Sequence, residues 1–164
     1  MSNGNQRIAV VIGGATAQAL AANGDRVTVA DRNADGALGR ATELGDPHAA
    51  APVDVTDEDS VQQLFEQTGP VDVVVNCAGF SNVGLITDMP VEAFREVVDV
   101  CLTGAFIVAK HAGRNLRPGG ALVSIGSLNG RQPAAGMSTY CAAKAGLSML
   151  TQVAALELGP RASA

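Results

Sequence analysis

Apolar residues along this chain fall in short runs punctuated by Gly, Pro and polar clusters, and strand-like runs alternate with stretches of helical period. Arg7–Ile12 (RIAVVI) predicts a strand that leads straight into Gly13-Gly14 and the helical run ATAQALAANG. Arg26–Ala30 predicts a second strand, ending on Asp31. A polar helix over Ala34–Glu43 and a weak strand around Ala49–Pro52 follow. Next come a helix in DEDSVQQLFEQT, capped by Thr56 or Asp57, and a fourth strand over Val71–Val75 that continues into Asn76-Cys77-Ala78-Gly79. Ser81–Pro90 reads as a loop and Val91–Arg114 as one long helix with an apolar stripe, which is core or subunit interface before it is anything else. Ala121–Ile125, bounded by Pro118-Gly119-Gly120 and Gly126, reads as a buried strand. A long Ala-rich helix then runs from Ser138 to Leu158, where Gly159-Pro160 predicts its stop. Strands alternating with helices in this way predict an α/β fold, a doubly wound parallel sheet covered by helices.

Composition narrows this without changing it. The 164 residues are expected to form one domain, residues 1–164, with 47% hydrophobic but only 3% aromatic side chains, as in parallel-sheet proteins rich in small aliphatics. A net charge of −5 and the lack of a basic cluster argue against nucleic acid as a partner. The three cysteines, Cys77, Cys101 and Cys141, have neither disulfide-framework nor metal-ligand spacing. No apolar run reaches membrane-spanning length and MSNGNQ does not read as a signal peptide, so a cytoplasmic protein with no membrane partner is expected.

The candidate chemistry lies near the C-terminal helix. Tyr140 is the only tyrosine, and Lys144 stands four residues after it, on the same helical face. An ammonium beside a phenol favours the phenolate and draws its pKa toward neutrality. Ser127, just after the strand Ala121–Ile125, is placed to face that pair and hydrogen-bond a substrate oxygen. Upstream, strand, Gly13-Gly14 and helix resemble the opening of a dinucleotide-binding unit, where a helix N-terminus receives a pyrophosphate. Asp31, closing the second strand, suits the ribose hydroxyls of NAD, and its charge opposes the 2′-phosphate of NADP. Taken alone, Asp31 reads more readily as a strand-end turn residue; the glycine turn before it in a βαβ frame is what favours the ribose role.

Together these segments closely resemble the short-chain dehydrogenase/reductase family. The family places a serine thirteen residues before the tyrosine of its YxxxK motif, the spacing from Ser127 to Tyr140. The resemblance covers about Arg7 to Pro160. It implies a Rossmann-like sheet in the order 3-2-1-4-5 and an alcohol–carbonyl interconversion that needs no metal. By the same resemblance Tyr140 would be the general acid/base, Lys144 would lower its pKa and hold the nicotinamide ribose, and Ser127 would polarise the carbonyl. Asp54 and Val55 would meet the adenine ring, although Asp54 also sits where a helix-capping turn belongs. Asn76 would brace neighbouring strand ends, and Ala78-Gly79 would let the backbone approach the cofactor. The two long helices would supply a homodimer or homotetramer contact.

Departures from the family pattern stand beside these matches. Cys77 replaces an asparagine of the NNAG motif, and Cys101 replaces the asparagine of the catalytic tetrad; cysteine lacks the amide expected to hold a helix bulge and its proton-relay water. The glycine turn is short. Matching Ile12-Gly13 to its closing Ile-Gly puts Gly13 eighteen residues before Asp31, as in the family, and puts branched Ile12 where the backbone should be open, so NAD should bind poorly. The sixth and seventh strands and the substrate-covering loop of the family have no counterpart here. A shortened variant and a longer polypeptide carrying those segments both fit. Three functional readings follow: an NAD-dependent oxidoreductase, a non-catalytic relative acting through association, and a protein that binds the nucleotide without chemistry.

Overall fold

The computed structural model describes residues 6–14 and 16–162. Ala15, the first residue of the predicted helical run, lies outside them. Five parallel strands form one sheet: β1 (Ile8–Ile12), β2 (Arg26–Asp31), β3 (Ala49–Pro52), β4 (Val71–Asn76) and β5 (Leu116–Ser124), in the order β3-β2-β1-β4-β5. Helices α1 (Ala17–Ala22), α2 (Ala34–Leu44), α3 (Glu58–Thr68), α4 (Val91–Val98), α5 (Gly104–Asn115) and α6 (Ser138–Ala162) join and cover the strands.

Alternation along β1 decides which face each side chain joins. Val10 and Ile12 pack with Val61, Leu64, Phe65 and Val108 from α3 and α5. Ala9 and Val11 pack on the other face with Ala17, Ala37 and Ala41 from α1 and α2. The small residues of α2 allow close approach to the sheet. Asn33 starts that helix by accepting from the Gly36 amide at 3.1 Å, and Gly45 ends it with φ +74°, a conformation that favours glycine. Asp57 caps α3 through the Asp59 amide at 3.0 Å, which decides between Thr56 and Asp57.

Three boundaries differ from the sequence expectation. The buried strand expected over Ala121–Ile125 begins at Leu116, ends at Ser124 and is not buried: β5 is an edge strand of the sheet, with Val123 exposed. Its pairing with β4 jumps from Val71↔Leu116 to Val73↔Ala121, and Gly119, at φ +79°, supplies the left-handed turn that absorbs the extra residues. Helix α6 runs through Gly159-Pro160 to Ala162. A proline's locked φ is itself helical, so it removes one hydrogen bond without having to end the helix at that residue. The expected helix Val91–Arg114 is continuous, but Asp99–Thr103 forms a π-helical turn between α4 and α5.

Glu58, in the first turn of α3, receives Lys110 and His111 Nε2 from α5, the latter at 3.2 Å. The Lys110 ammonium, then His111, holds the Glu58 carboxyl below its ordinary range. A depressed folded pKa contributes stability above the unfolded value, lost as pH falls through the folded one. Glu58→Gln should therefore lower Tm at neutral pH, and the gap to the parent should close as pH drops below the ordinary carboxylate range. Circular-dichroism melts across that range check this; a gap that persists in acid would contradict the ion-pair account.

Candidate active site and cofactor groove

The carboxyl ends of β1, β2 and β4 open onto a groove of about 350 Å³. Gly13, Asp31, Asp54, Val55, Ala78 and Gly79 line it, so six of the expected cofactor residues share one wall system. Ile12, Arg32, Val53, Cys77, Phe80 and Val100 complete it. Asn76 is not part of the lining. It is buried, its Oδ1 accepts from the Ala78 amide at 3.0 Å, and its backbone carbonyl accepts from Ile125 at 2.9 Å. The neighbouring strand is thus tied by the backbone of Asn76, while its side chain shapes its own turn.

The crossing from β1 to α1 corrects the sequence register. Ile12 is paired to Ala30 on one side and Asn76 on the other and is 2% exposed, so it belongs to the strand and does not obstruct a loop. Gly13 is the first residue beyond the strand, and α1 begins at Ala17. The physical reason is pairing: β1 lies between two strands and keeps its five residues. Gly13 has φ +88°, and a Cβ there would lie 3.1 Å from Cys77 Cβ. The Thr16 hydroxyl at this crossing is buried with no hydrogen-bond partner among the described residues.

The groove's polar groups are poised differently. Asp31 Oδ1 accepts from the Asn33 amide at 2.9 Å, leaving Oδ2 without a protein partner among the described residues. Asp54 Oδ1 accepts from the Thr56 amide at 2.9 Å and the Thr56 hydroxyl at 2.7 Å. The Thr56 hydroxyl and amide hold the Asp54 carboxyl below its usual range. Asp54 thus closes the Thr56 turn and also lines the groove.

Tyr140 and Lys144 share one face of α6, with Nζ 5.6 Å from the ring centroid. Lys144 is 4% exposed, and its Nζ donates to the Ile125 carbonyl at 2.6 Å. Burial lowers its pKa, partly offset by Cys101 and Cys77 nearby. A Cβ at Gly79 would lie 3.2 Å from Cys101 Sγ and 3.6 Å from Lys144 Nζ, so the lysine packs behind the groove wall, and neither it nor Tyr140 is part of the lining. Burial pushes the Cys77 thiol up, against the Thr16 hydroxyl and Lys144. Ser127 lines a second, polar hollow beyond β5 together with Lys144, Gly130 and Arg131. Its Oγ accepts from the Asn129 amide at 3.2 Å and makes no hydrogen bond to Tyr140.

Cys101 does not abolish the bulge expected to need an asparagine. It sits buried inside the π turn, and its thiol donates to the Phe80 carbonyl at 3.4 Å. A backbone bulge needs its own hydrogen bonds and a fitting buried side chain, and a small thiol supplies the latter. The sequence reading missed two contributors, the Ile125 carbonyl and the Asn82–Thr139 pair described below. Neither carries a local sequence signal.

A family profile described as short chain dehydrogenase matches residues 9–162. The chain belongs to the short-chain dehydrogenase/reductase family, a family of oxidoreductases. An uncharacterized short-chain type dehydrogenase/reductase of Sinorhizobium fredii is 37% identical over 164 residues, covering 94% of this chain and 30% of that protein. The 3-oxoacyl acyl-carrier-protein reductase of Homo sapiens is 35% identical over 153 residues, 90% of this chain and 65% of the relative. The crystal structure of BdcA in complex with NADPH superposes with a TM-score of 0.87 at 26% identity, over 95% of this chain and 66% of that one. The chain thus spans less than two thirds of the length of several relatives. Among the described residues no helix is long and apolar enough to cross a membrane.

Proposed function

We propose that this chain carries the cofactor groove and proton-transfer site of an NAD-dependent oxidoreductase that interconverts an alcohol and a carbonyl. The observation that carries the proposal is Lys144: buried, tethered to Ile125, beside the Tyr140 ring and behind Gly79, which lines the groove. Asp31 Oδ2 is offered to the adenosine ribose, Asp54 and Val55 to the adenine, and Gly13 and the Thr16 hydroxyl to the pyrophosphate. The bound nicotinamide supplies the hydride donor or acceptor. Tyr140 gives its phenolic proton to the carbonyl oxygen, or takes the alcohol proton, while the Lys144 ammonium favours the phenolate and holds the nicotinamide ribose. Ser127 orients the substrate oxygen once its hydroxyl leaves the Asn129 amide. The carbonyl class is supported by the human relative, named for reduction of a 3-oxoacyl group.

The test is direct. With no tryptophan in the chain, NADH fluorescence is read against a low protein background. NADH should raise Tm and be consumed with at least one member of a panel of aliphatic and aromatic ketones and 3-oxo esters. Neither binding nor turnover at millimolar NADH would sink the reading.

Cofactor choice is expected to follow Asp31. NAD should bind more tightly than NADP, and Asp31→Ser should narrow that ratio by about tenfold, about 1.4 kcal/mol, within what a close like-charge contact near a protein surface exerts. Exposed Arg32 beside it acts in the opposite sense, and the relative solved with NADPH makes the comparison a real test. A parent preference for NADP would overturn the ribose role of Asp31.

Association through the long helices is proposed as well. Phe94 and Phe106 on α4 and α5, and Met149, Val153 and Leu156 at helical spacing on α6, are exposed. An apolar stripe of this kind fits a homodimer or homotetramer contact.

A further inference from the structure

We infer that Asn82 is a positioning residue, which sets the place of Tyr140 through the buried hydroxyl of Thr139. The inference rests on the acid/base role proposed for Tyr140. Thr139 immediately precedes that tyrosine in the first turn of α6 and is 0% exposed. Its hydroxyl donates to Asn82 Oδ1 at 2.7 Å, and Asn82 Nδ2 donates to the Ala93 carbonyl in α4 at 3.0 Å. A carbonyl only accepts, so the Ala93 bond fixes which end of the Asn82 amide faces α6, and Thr139 must then be the donor. The direction of each bond is determined, and a shape-matched side chain without these polar atoms cannot replace either one.

The segment that carries Asn82 is itself fixed on three further sides. Gly79, just before it, walls the groove beside Lys144. The Phe80 carbonyl accepts from Cys101 in the π turn at 3.4 Å, and the Gly84 amide donates to the Gly136 carbonyl at 3.0 Å, two residues before α6. Asn82 therefore joins the groove wall to the first turn of α6, while Lys144 joins the next turn to the end of β5. Tyr140 sits between those two ties. Packing of Tyr140 and Ala143 on Val97 and Cys101 holds this part of α6 without direction; the Thr139 bond adds a directional tie one residue from the phenol and sets its place. A misplacement of about 1 Å in a reacting group costs roughly a hundredfold in rate.

Tyr140 is the only tyrosine in the chain, and there is no tryptophan, so ultraviolet titration and tyrosine fluorescence report this one ring whether or not the protein turns over substrate. The experiment compares parent, Thr139→Val, Thr139→Ser and Asn82→Ala in full-length protein. Thr139→Val and Asn82→Ala should shift the phenol titration midpoint and the fluorescence. On a ketone that the parent reduces with NADH, they should lower kcat by about ten- to a hundredfold, with the KM for NADH within about threefold. Thr139→Ser, which keeps the hydroxyl, should restore parent values within about twofold, and the Asn82→Ala/Thr139→Val double variant should be no worse than the poorer single. A lowered Tm with unchanged kcat and unchanged Tyr140 titration means mere stabilisation, and overturns the inference. If Thr139→Val does not fold, Asn82→Ala against Thr139→Ser decides by the same readouts. If the parent turns over no ketone yet the titration shifts as expected, the acid/base reading falls and the positioning of Tyr140 by Asn82 stands.

Discussion

Tyr140→Phe should abolish measurable turnover while leaving NADH affinity within about threefold of the parent. The substitution removes one oxygen and keeps the ring that packs beside Val97, Cys101 and Ala143. Lys144 retains its tie to the Ile125 carbonyl, so the groove wall at Gly79 is not disturbed. A positioned general acid contributes about 10²–10⁴ in rate, and no other phenol exists in the chain to replace it. Ser127 is no substitute: an aliphatic hydroxyl is a far weaker acid, and its oxygen already accepts from the Asn129 amide. Stopped-flow reduction of the best ketone from the panel, beside NADH binding by fluorescence, separates the two effects. Turnover within a few-fold of the parent would remove Tyr140 from the proposed mechanism.

What the sequence made legible follows from how local each signal is. β1, β2 and β4 are short apolar runs closed by Gly, Asp or Asn, and α2 and α3 carry their own polar caps and glycine ends, so their positions agree closely with expectation. Sheet order came from resemblance to a family, because no local pattern says which strand lies beside which. Apart from the helical proline in α6, the misplacements turn on contacts with distant parts. Pro118-Gly119-Gly120 looks like a boundary, yet pairing with β4 carries β5 across it by a bulge. Ile12 looked displaced into a glycine turn because spacing was counted back from Asp31, whereas double pairing of β1 keeps it in the strand. Cys101 looked unable to hold a bulge, but the π turn persists around a buried thiol. Asn82 and Thr139 are 57 residues apart, and nothing in either neighbourhood points to the other.

The Lys144 site pits stability against chemistry, and that contest yields the other large expected effect. An ammonium at 4% exposure with one backbone acceptor is poorly compensated, which is why its pKa is lowered, by burial first. A lysine whose folded pKa lies below its unfolded value destabilises the fold throughout the range below the folded pKa. That penalty fades as pH rises from there toward the unfolded value. Lys144→Met keeps the length and apolar stem of the side chain and deletes the charge. The substitution leaves the Ile125 carbonyl without its Lys144 donor, at a residue that is itself solvent-exposed. Tm at neutral pH should therefore be unchanged or higher in Lys144→Met, and its advantage over the parent should shrink toward alkaline pH. Turnover should fall by at least about a hundredfold, the scale of a lost acid/base partner, and NADH affinity should fall with it, because the same ammonium is assigned to the nicotinamide ribose. Tyr140→Phe lowers rate alone, whereas Lys144→Met lowers rate and affinity while sparing the fold. A Lys144→Met protein that melts far below the parent would mean the lysine is a structural tie first, and one that binds NADH as tightly as the parent would take the ribose away from it.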